Sequence, residues 1–244
     1  MKRIILYAAA IEITYLTLSF MLGQVWGQWS YEGEIIRTGL RLIPIVCYGH
    51  FYQNFFYSAN QSVKTKEPLT PQFISALLLL ILFAAAYTNA ENETILWQIV
   101  FVISGFTAGF REELFYRGII QNSLQKKYNF KIALSCATLI FALSHVQYIY
   151  HGQTNGLILI TLAGIIFGSI FIYTGSIVFV ATIHSLYDAV ISINLMPIRL
   201  GNEIEIPLLF LITLMFLLII NKELYSPQST DNADDSNQDN LSLG

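Results

Sequence analysis

The sequence predicts an all-α fold: a polytopic membrane bundle of about eight transmembrane helices around an intramembrane polar active site. Three observations predict it. The chain has 244 residues, 55% of them hydrophobic and only 12% charged, against about 25% charged in an ordinary soluble domain. Its mean hydropathy is +0.56, and apolar stretches close to the ~20 residues needed to cross hydrocarbon recur along its length. Several of the few ionisable residues inside those stretches fall into three short patterns.

Taken in order, spans are expected near 4–22, 36–57, 73–89, 96–123, 132–150, 155–173, 176–194 and 206–221. Met1-Lys2-Arg3 opens the first. Glu12 interrupts its apolar run and the hydrophobic pattern then continues to Leu22, so it reads as a retained span and not a cleaved leader. The second holds Arg37, Arg41 and His50, which makes it either partly interfacial or turned toward the bundle interior. Glu12, Arg37 and Arg41 are expected to pair with one another between the first two helices. The fourth is long, and its end is expected to project beyond the hydrocarbon. Gly105 and Gly109, and again Gly164 and Gly168, are spaced four apart. Small residues at that spacing let membrane helices approach closely.

Loop charge orients the bundle. Lys2 and Arg3 precede the first span, Lys64 and Lys66 follow the second, and Lys126, Lys127 and Lys131 follow the fourth. The alternate connections carry Glu32 and Glu34, Glu91 and Glu93, and Glu203 and Glu205, with Arg199 the basic residue on that side. Both termini are therefore expected in the cytoplasm. Residues 1–224 form the transmembrane helical domain, with a motif core at 105–194, and 225–244 form a disordered polar cytoplasmic tail carrying Asp231, Asp234, Asp235 and Asp239. The composition has no nucleic-acid footprint. Cys47 and Cys136 are far apart with no CxxC or Cys/His spacing, so neither a disulfide framework nor a zinc finger is expected. With no inverted repeat or paired broken helices, the pattern does not favour a transporter.

The three patterns are Glu112-Glu113-Leu114-Phe115-Tyr116-Arg117, Phe141-Ala142-Leu143-Ser144-His145, and His184-Ser185-Leu186-Tyr187-Asp188. Ionisable groups at bilayer depth are costly and mark functional sites. Residues four apart share a helix face, so Glu113 can pair with Arg117, Phe141 with His145, and His184 with Asp188. Glu112 is then the freer carboxylate. A carboxylate and an imidazole sharing a water form a general-base arrangement, and a second imidazole can steady charge on a carbonyl oxygen. Counted from the Lys-rich loop at ~1.5 Å per residue, Glu112 and His145 are both about 20 Å deep. His184 is only ~13 Å from the turn near Gly175, so it is level with them only if that turn is recessed.

EExxxR, FxxxH and Hxxx(N/D), in this order on successive spans, resemble the CPBP (Abi or CAAX-protease) family of intramembrane proteases over about residues 105–194. The resemblance implies an endopeptidase acting on a membrane-associated or prenylated-like peptide, with water activated by Glu112 and His145 in a cavity opening toward the cytoplasm. It implies that His184 and Asp188 hold the substrate carbonyl or oxyanion, that Glu113 and Arg117 orient the others, and that Phe141 shapes the pocket beside His145. Where related proteins carry Asn, this chain has Asp188, which donates a hydrogen bond only when protonated. Metal-free chemistry is favoured, since there is no HExxH. The alternative is a divalent metal such as Zn²⁺ on Glu112, His145 and His184. A non-catalytic bacteriocin-immunity or peptide-binding membrane protein is the rival reading of another class.

Overall fold

A computed structural model describes residues 2–27, 30–57, 69–87, 94–150, 152–193 and 202–225. The described residues are helical apart from short caps and turns. Helix α1 is Lys2–Trp26, and α2 is Tyr31–Phe51, continued by a π-helical turn at Tyr52–Phe56. Helix α3 is Pro71–Tyr87. Helix α4, Ile95–Glu112, runs without a break into a π-helical segment, Glu113–Gln121, and then α5, Asn122–Gln125. Helix α6 is Phe130–Leu143, α7 Gln147–Tyr150, α8 Thr154–Thr174, α9 Ile177–Ile191 and α10 Asn202–Tyr225. Among the described residues, three helices are long and apolar enough to cross a membrane: Lys2–Trp26, Thr154–Thr174 and Glu203–Leu224. Pro71–Ala86, Phe130–Leu143 and Ile177–Ile191 are shorter apolar helices. Lys64, Lys66, Glu91, Glu93, Arg199 and the tail from residue 226 lie outside the described residues.

Helix starts follow local chemistry. Ser30, Thr94, Asn129 and Ser176 cap α2, α4, α6 and α9, each side-chain oxygen accepting a first-turn N–H. Gly175 ends α8 at φ +61°, a left-handed conformation natural to glycine, and its N–H donates to Phe171 O at 2.9 Å.

Neighbouring contacts define the run of each helix. Tyr48 reaches Glu12 and Arg41 reaches Tyr15, so α1 and α2 are antiparallel. Arg117 reaches Gly164 and Gln121 reaches Gly168, so α8 runs parallel to the α4–π–α5 rod. That rod is the centre of the bundle, with α9 and α2 packed along it. The glycine spacing explains how closely. A Cβ at Gly109 would lie 2.8 Å from the Ser185 backbone nitrogen, and one at Gly105 3.0 Å from Asp188 Cβ. A Cβ at Gly164 would meet Phe141 Cδ1 at 2.9 Å.

The turn before α9 is recessed. Ile177 packs against the position of Gly118, well inside the Lys-rich turn that follows α5. Counted from that contact at ~1.5 Å per residue, Glu112 and His184 both lie about 10 Å further in. The depth condition on His184 is thereby met.

Two expected elements differ. The helix expected at 132–150 stops at Leu143, and His145 stands in a turn between α6 and α7. Ser144 Oγ and His145 Nδ1 both bind Phe141 O, at 2.7 and 2.9 Å, and so take over the carbonyl that the next helical turn would use. The fourth span is π-helical over its last part, where an α-helix was expected. π-Helical turns concentrate at functional sites, and this one begins at the second carboxylate of the pair.

Candidate active site

The junction of α4 with the π segment presents two carboxylates in different directions. Glu113 is completely buried. Its Oε2 lies 3.2 Å from Arg117 Nε, an ion pair whose alignment is too poor for a hydrogen bond. Arg117 is held in turn by Gly164 O at 2.9 Å and lies over the Phe141 ring at 4.8 Å. The other oxygen, Glu113 Oε1, meets His184 Nδ1 at 2.8 Å. With an acceptor facing it, Nδ1 is assigned the proton, leaving His184 Nε2 for the cavity. That nitrogen is 3.9 Å from Glu112 Oε2 and 3.6 Å from Asp188 Oδ2. Phe167 stacks on the imidazole at 4.0 Å between centroids and fixes its plane.

His145 is oriented in the same way from the other side. Its Nδ1 faces Phe141 O, so Nε2 points to Glu112 Oε1 at 3.9 Å. Phe141 fills the space between the groups, 4.8 Å from the His145 ring, 6.3 Å from His184 and 5.1 Å from Tyr116. All seven residues singled out in the sequence therefore come together: Glu112, Glu113, Arg117, Phe141, His145, His184 and Asp188. The Glu–His separations are too long for direct hydrogen bonds, whereas a water ~2.8 Å from each partner fits between them.

Glu112 is not the free carboxylate expected from the sequence. Arg111 Nη2 donates to Glu112 Oε1 at 2.7 Å, and Arg111 Nη1 pairs with Glu12 Oε1. Glu12 also accepts from Tyr48 OH at 2.9 Å and Tyr116 OH at 3.1 Å, while Tyr15 lies under the Arg111 guanidinium at 4.3 Å. One buried cation thus joins two carboxylates from helices far apart in sequence. Arg111 was missed although it is a charged residue in an apolar run, immediately before the pattern. The cost of such a residue at bilayer depth was the available signal.

The expected pairing among Glu12, Arg37 and Arg41 does not form. Glu12 goes to Arg111. Arg37 and Arg41 instead converge on Glu34 of their own helix, with Arg41 also donating to Tyr15 OH at 2.8 Å and to Ser104 O at 3.1 Å. Glu34, one turn before Arg37, is closer to both cations than Glu12 is, and it leaves Glu12 for the guanidinium beside Glu112.

These groups line a cavity of about 560 Å³. It is bounded by Ser19 and Gln24 late in α1, Glu34 early in α2 and Arg41 at its middle, Gly156 early in α8, and Ser192 past the end of α9. Apart from Arg41 at mid-helix, these belong to the end of the bundle opposite Lys2, Tyr225 and the Lys126–Lys131 turn. An opening toward the cytoplasm and cytoplasmic termini therefore cannot both hold. The reason is the packing on the termini side of the carboxylate pair, where the buried Tyr116, Arg117, Ile119 and Gln121 close the bundle.

The alternative metal set fits poorly. Zn²⁺ takes ligand atoms at ~2.0–2.2 Å, and donors 3.9 Å apart would subtend roughly 135° in place of a tetrahedral angle. The Glu112 oxygen nearest His145 already holds the Arg111 guanidinium, so a dication would sit against a fixed positive charge. Among the described residues, no three His, Cys, Asp or Glu side chains are placed to hold a metal ion.

Residues 93–190 match the family model described as type II CAAX prenyl endopeptidase Rce1-like, about two fifths of the chain. The match supports the resemblance of this segment to the CPBP/CAAX-protease family. No curated protein and no solved structure matches it. The matched segment contains all three motifs. Glu12, Tyr15, Arg41 and Tyr48, which surround Arg111 and the cavity wall, lie outside it.

Proposed function

We propose that this protein is an intramembrane endopeptidase that hydrolyses a peptide bond of a membrane-associated substrate, using water held between Glu112 and His145. The observation that carries this reading is the position of Glu112, whose two oxygens each lie 3.9 Å from an imidazole Nε2 at the floor of one cavity. A water there donates one hydrogen to Glu112, while His145 Nε2 accepts the other as a hydrogen bond. As the water oxygen bonds to the substrate carbonyl carbon, its proton passes to Glu112 and the carbonyl π pair moves to oxygen. Collapse of the tetrahedral species breaks the C–N bond, and Glu112 returns the proton to the leaving amine. The product acid and amine account for every atom of the water.

His184 faces the same space with Nδ1 held by Glu113, so as an imidazolium it offers Nε2–H to the developing oxyanion. Asp188, 3.6 Å from that nitrogen, stabilises the imidazolium. Glu113, Arg117 and Phe141 fix the two rings. In this reading the shorter apolar helices cross the membrane together with the three long ones, and the lysines at one end of the bundle favour cytoplasmic termini. Purified Glu112→Gln and His145→Ala variants in detergent are each expected to lose about 10²–10⁴-fold in peptide cleavage, the usual contribution of a positioned acid–base group. Unchanged turnover in both variants removes the mechanism.

A further inference from the structure

The mouth of the cavity and the distribution of lysine can be located on the same bundle without reference to any substrate. Six described basic residues, Lys2, Arg3, Lys126, Lys127, Lys131 and Lys222, stand at the end of the bundle where α1 begins and α10 ends. Lys64 and Lys66, between α2 and α3 in sequence, belong to the same side of the alternation. At the other end the described charges outside the active site are Glu32, Glu34, Arg37, Arg41, Glu203 and Glu205, and both arginines are tied to Glu34. Short loops rich in Lys and Arg stay on the cytoplasmic side.

Glu112 and His184 lie near the middle of their helices, and the cavity continues from them toward the opposite end. Ser192 on the rim is two turns up α9 from His184, about 12 Å at ~1.5 Å per residue. In the other direction the bundle is filled. Tyr116, Arg117, Ile119, Gln121 and Asn122, all buried, occupy the space below Glu112 and Glu113. A cavity of about 560 Å³ admits an extended segment of chain and not a folded domain.

We infer that the polypeptides cut at this site are reached from the non-cytoplasmic face of the membrane, as extended segments that project from that face or stand at that end of a spanning helix. The inference rests on the protease reading and adds the side of the membrane on which substrate is met. It follows that a soluble peptide supplied outside the cell reaches Glu112, whereas the same peptide confined to the cytoplasm does not.

The test uses the full-length chain in spheroplasts of an expression host, with Cys47 and Cys136 replaced by serine. Gln24→Cys marks the mouth and Lys127→Cys the termini end, each probed with a membrane-impermeant maleimide. In parallel, an unstructured quenched-fluorescent peptide is added outside, with Glu112→Gln as the subtraction control. Gln24→Cys is expected to react in intact spheroplasts and Lys127→Cys only after permeabilisation. Cleavage that depends on Glu112 is expected at the same rate before and after permeabilisation. Reversed labelling, or cleavage that appears only on permeabilisation, overturns the inference. Outer labelling at Gln24→Cys with no cleavage under either condition overturns the protease reading beneath it and leaves the geometry of the mouth standing, so the two failures are distinguishable.

Discussion

Replacing Arg111 by methionine tests the buried charge arrangement most directly. Arg111 is buried and its two terminal nitrogens meet two buried carboxylates, Glu12 and Glu112. Methionine keeps most of the side-chain length and removes the charge. Breaking a buried pair by removing one partner costs about 3–5 kcal/mol, because the remaining charge has no counterion. Glu12 keeps hydrogen bonds from Tyr48 and Tyr116, and Glu112 keeps contact with the cavity, so the lower part of that range applies. For a chain of this size each kcal/mol moves Tm by about 2–4 °C, which gives a fall of about 6–12 °C. The assay is thermal unfolding of purified protein in one detergent. Arg111→Met combined with Glu12→Gln is expected to recover part of the loss, since the amide carries no charge, its oxygen accepts from one tyrosine and its NH2 can donate to the hydroxyl oxygen of the other. The interaction energy of the cycle should fall within about 0.5–3 kcal/mol. A single variant as stable as the wild type, or strictly additive effects, refutes the reasoning. Arg111→Lys retains the charge but not the planar fork that spans both carboxylates, and should fall between the two.

Gly109→Ala places a methyl group 2.8 Å from the Ser185 backbone nitrogen and must displace α9, which carries His184 and Asp188. A loss of about 1–3 kcal/mol is expected from such overpacking, together with reduced kcat, whereas Gly39→Ala, where nothing lies within 4 Å, should leave both unchanged in the same unfolding and turnover assays. Since Arg111 already occupies Glu112, activity is expected to survive a strong chelator, and elemental analysis of active protein should find no stoichiometric zinc; inactivation by chelator with recovery on adding Zn²⁺ contradicts this. Phe167→Leu removes the ring stacked on His184 while keeping an apolar wall, so kcat should fall with little change in KM; equal effects on both would assign Phe167 to substrate binding.

Much of the site was legible because helical spacing carries it. Glu113 with Arg117 and His184 with Asp188 are four-residue relations within one helix, and their side chains do meet. The glycine pairs were legible for the same reason. The α-helical expectation for 113–121 failed because a π segment has no composition of its own; it is set by what the rod packs against. The end of α6 at Leu143 was hidden because Ser144 and His145 compete for one carbonyl, an outcome decided by side-chain orientation and not by residue type.

By itself the sequence determined that this is an all-helical membrane protein, which ionisable residues cluster in its apolar helices, and that their motifs resemble the CAAX-protease family. Apolar length, four-residue spacing and the cost of charge in lipid are local properties, so they can be read along the chain. Tertiary structure alone decided the partner of each charge and the end at which the cavity opens. Glu12 reaches Arg111 across 99 positions, and which of several buried cations meets a given carboxylate depends on helix rotation and crossing. The recessed turn at Gly175 has the same origin, since its depth is set by Ile177 settling on Gly118.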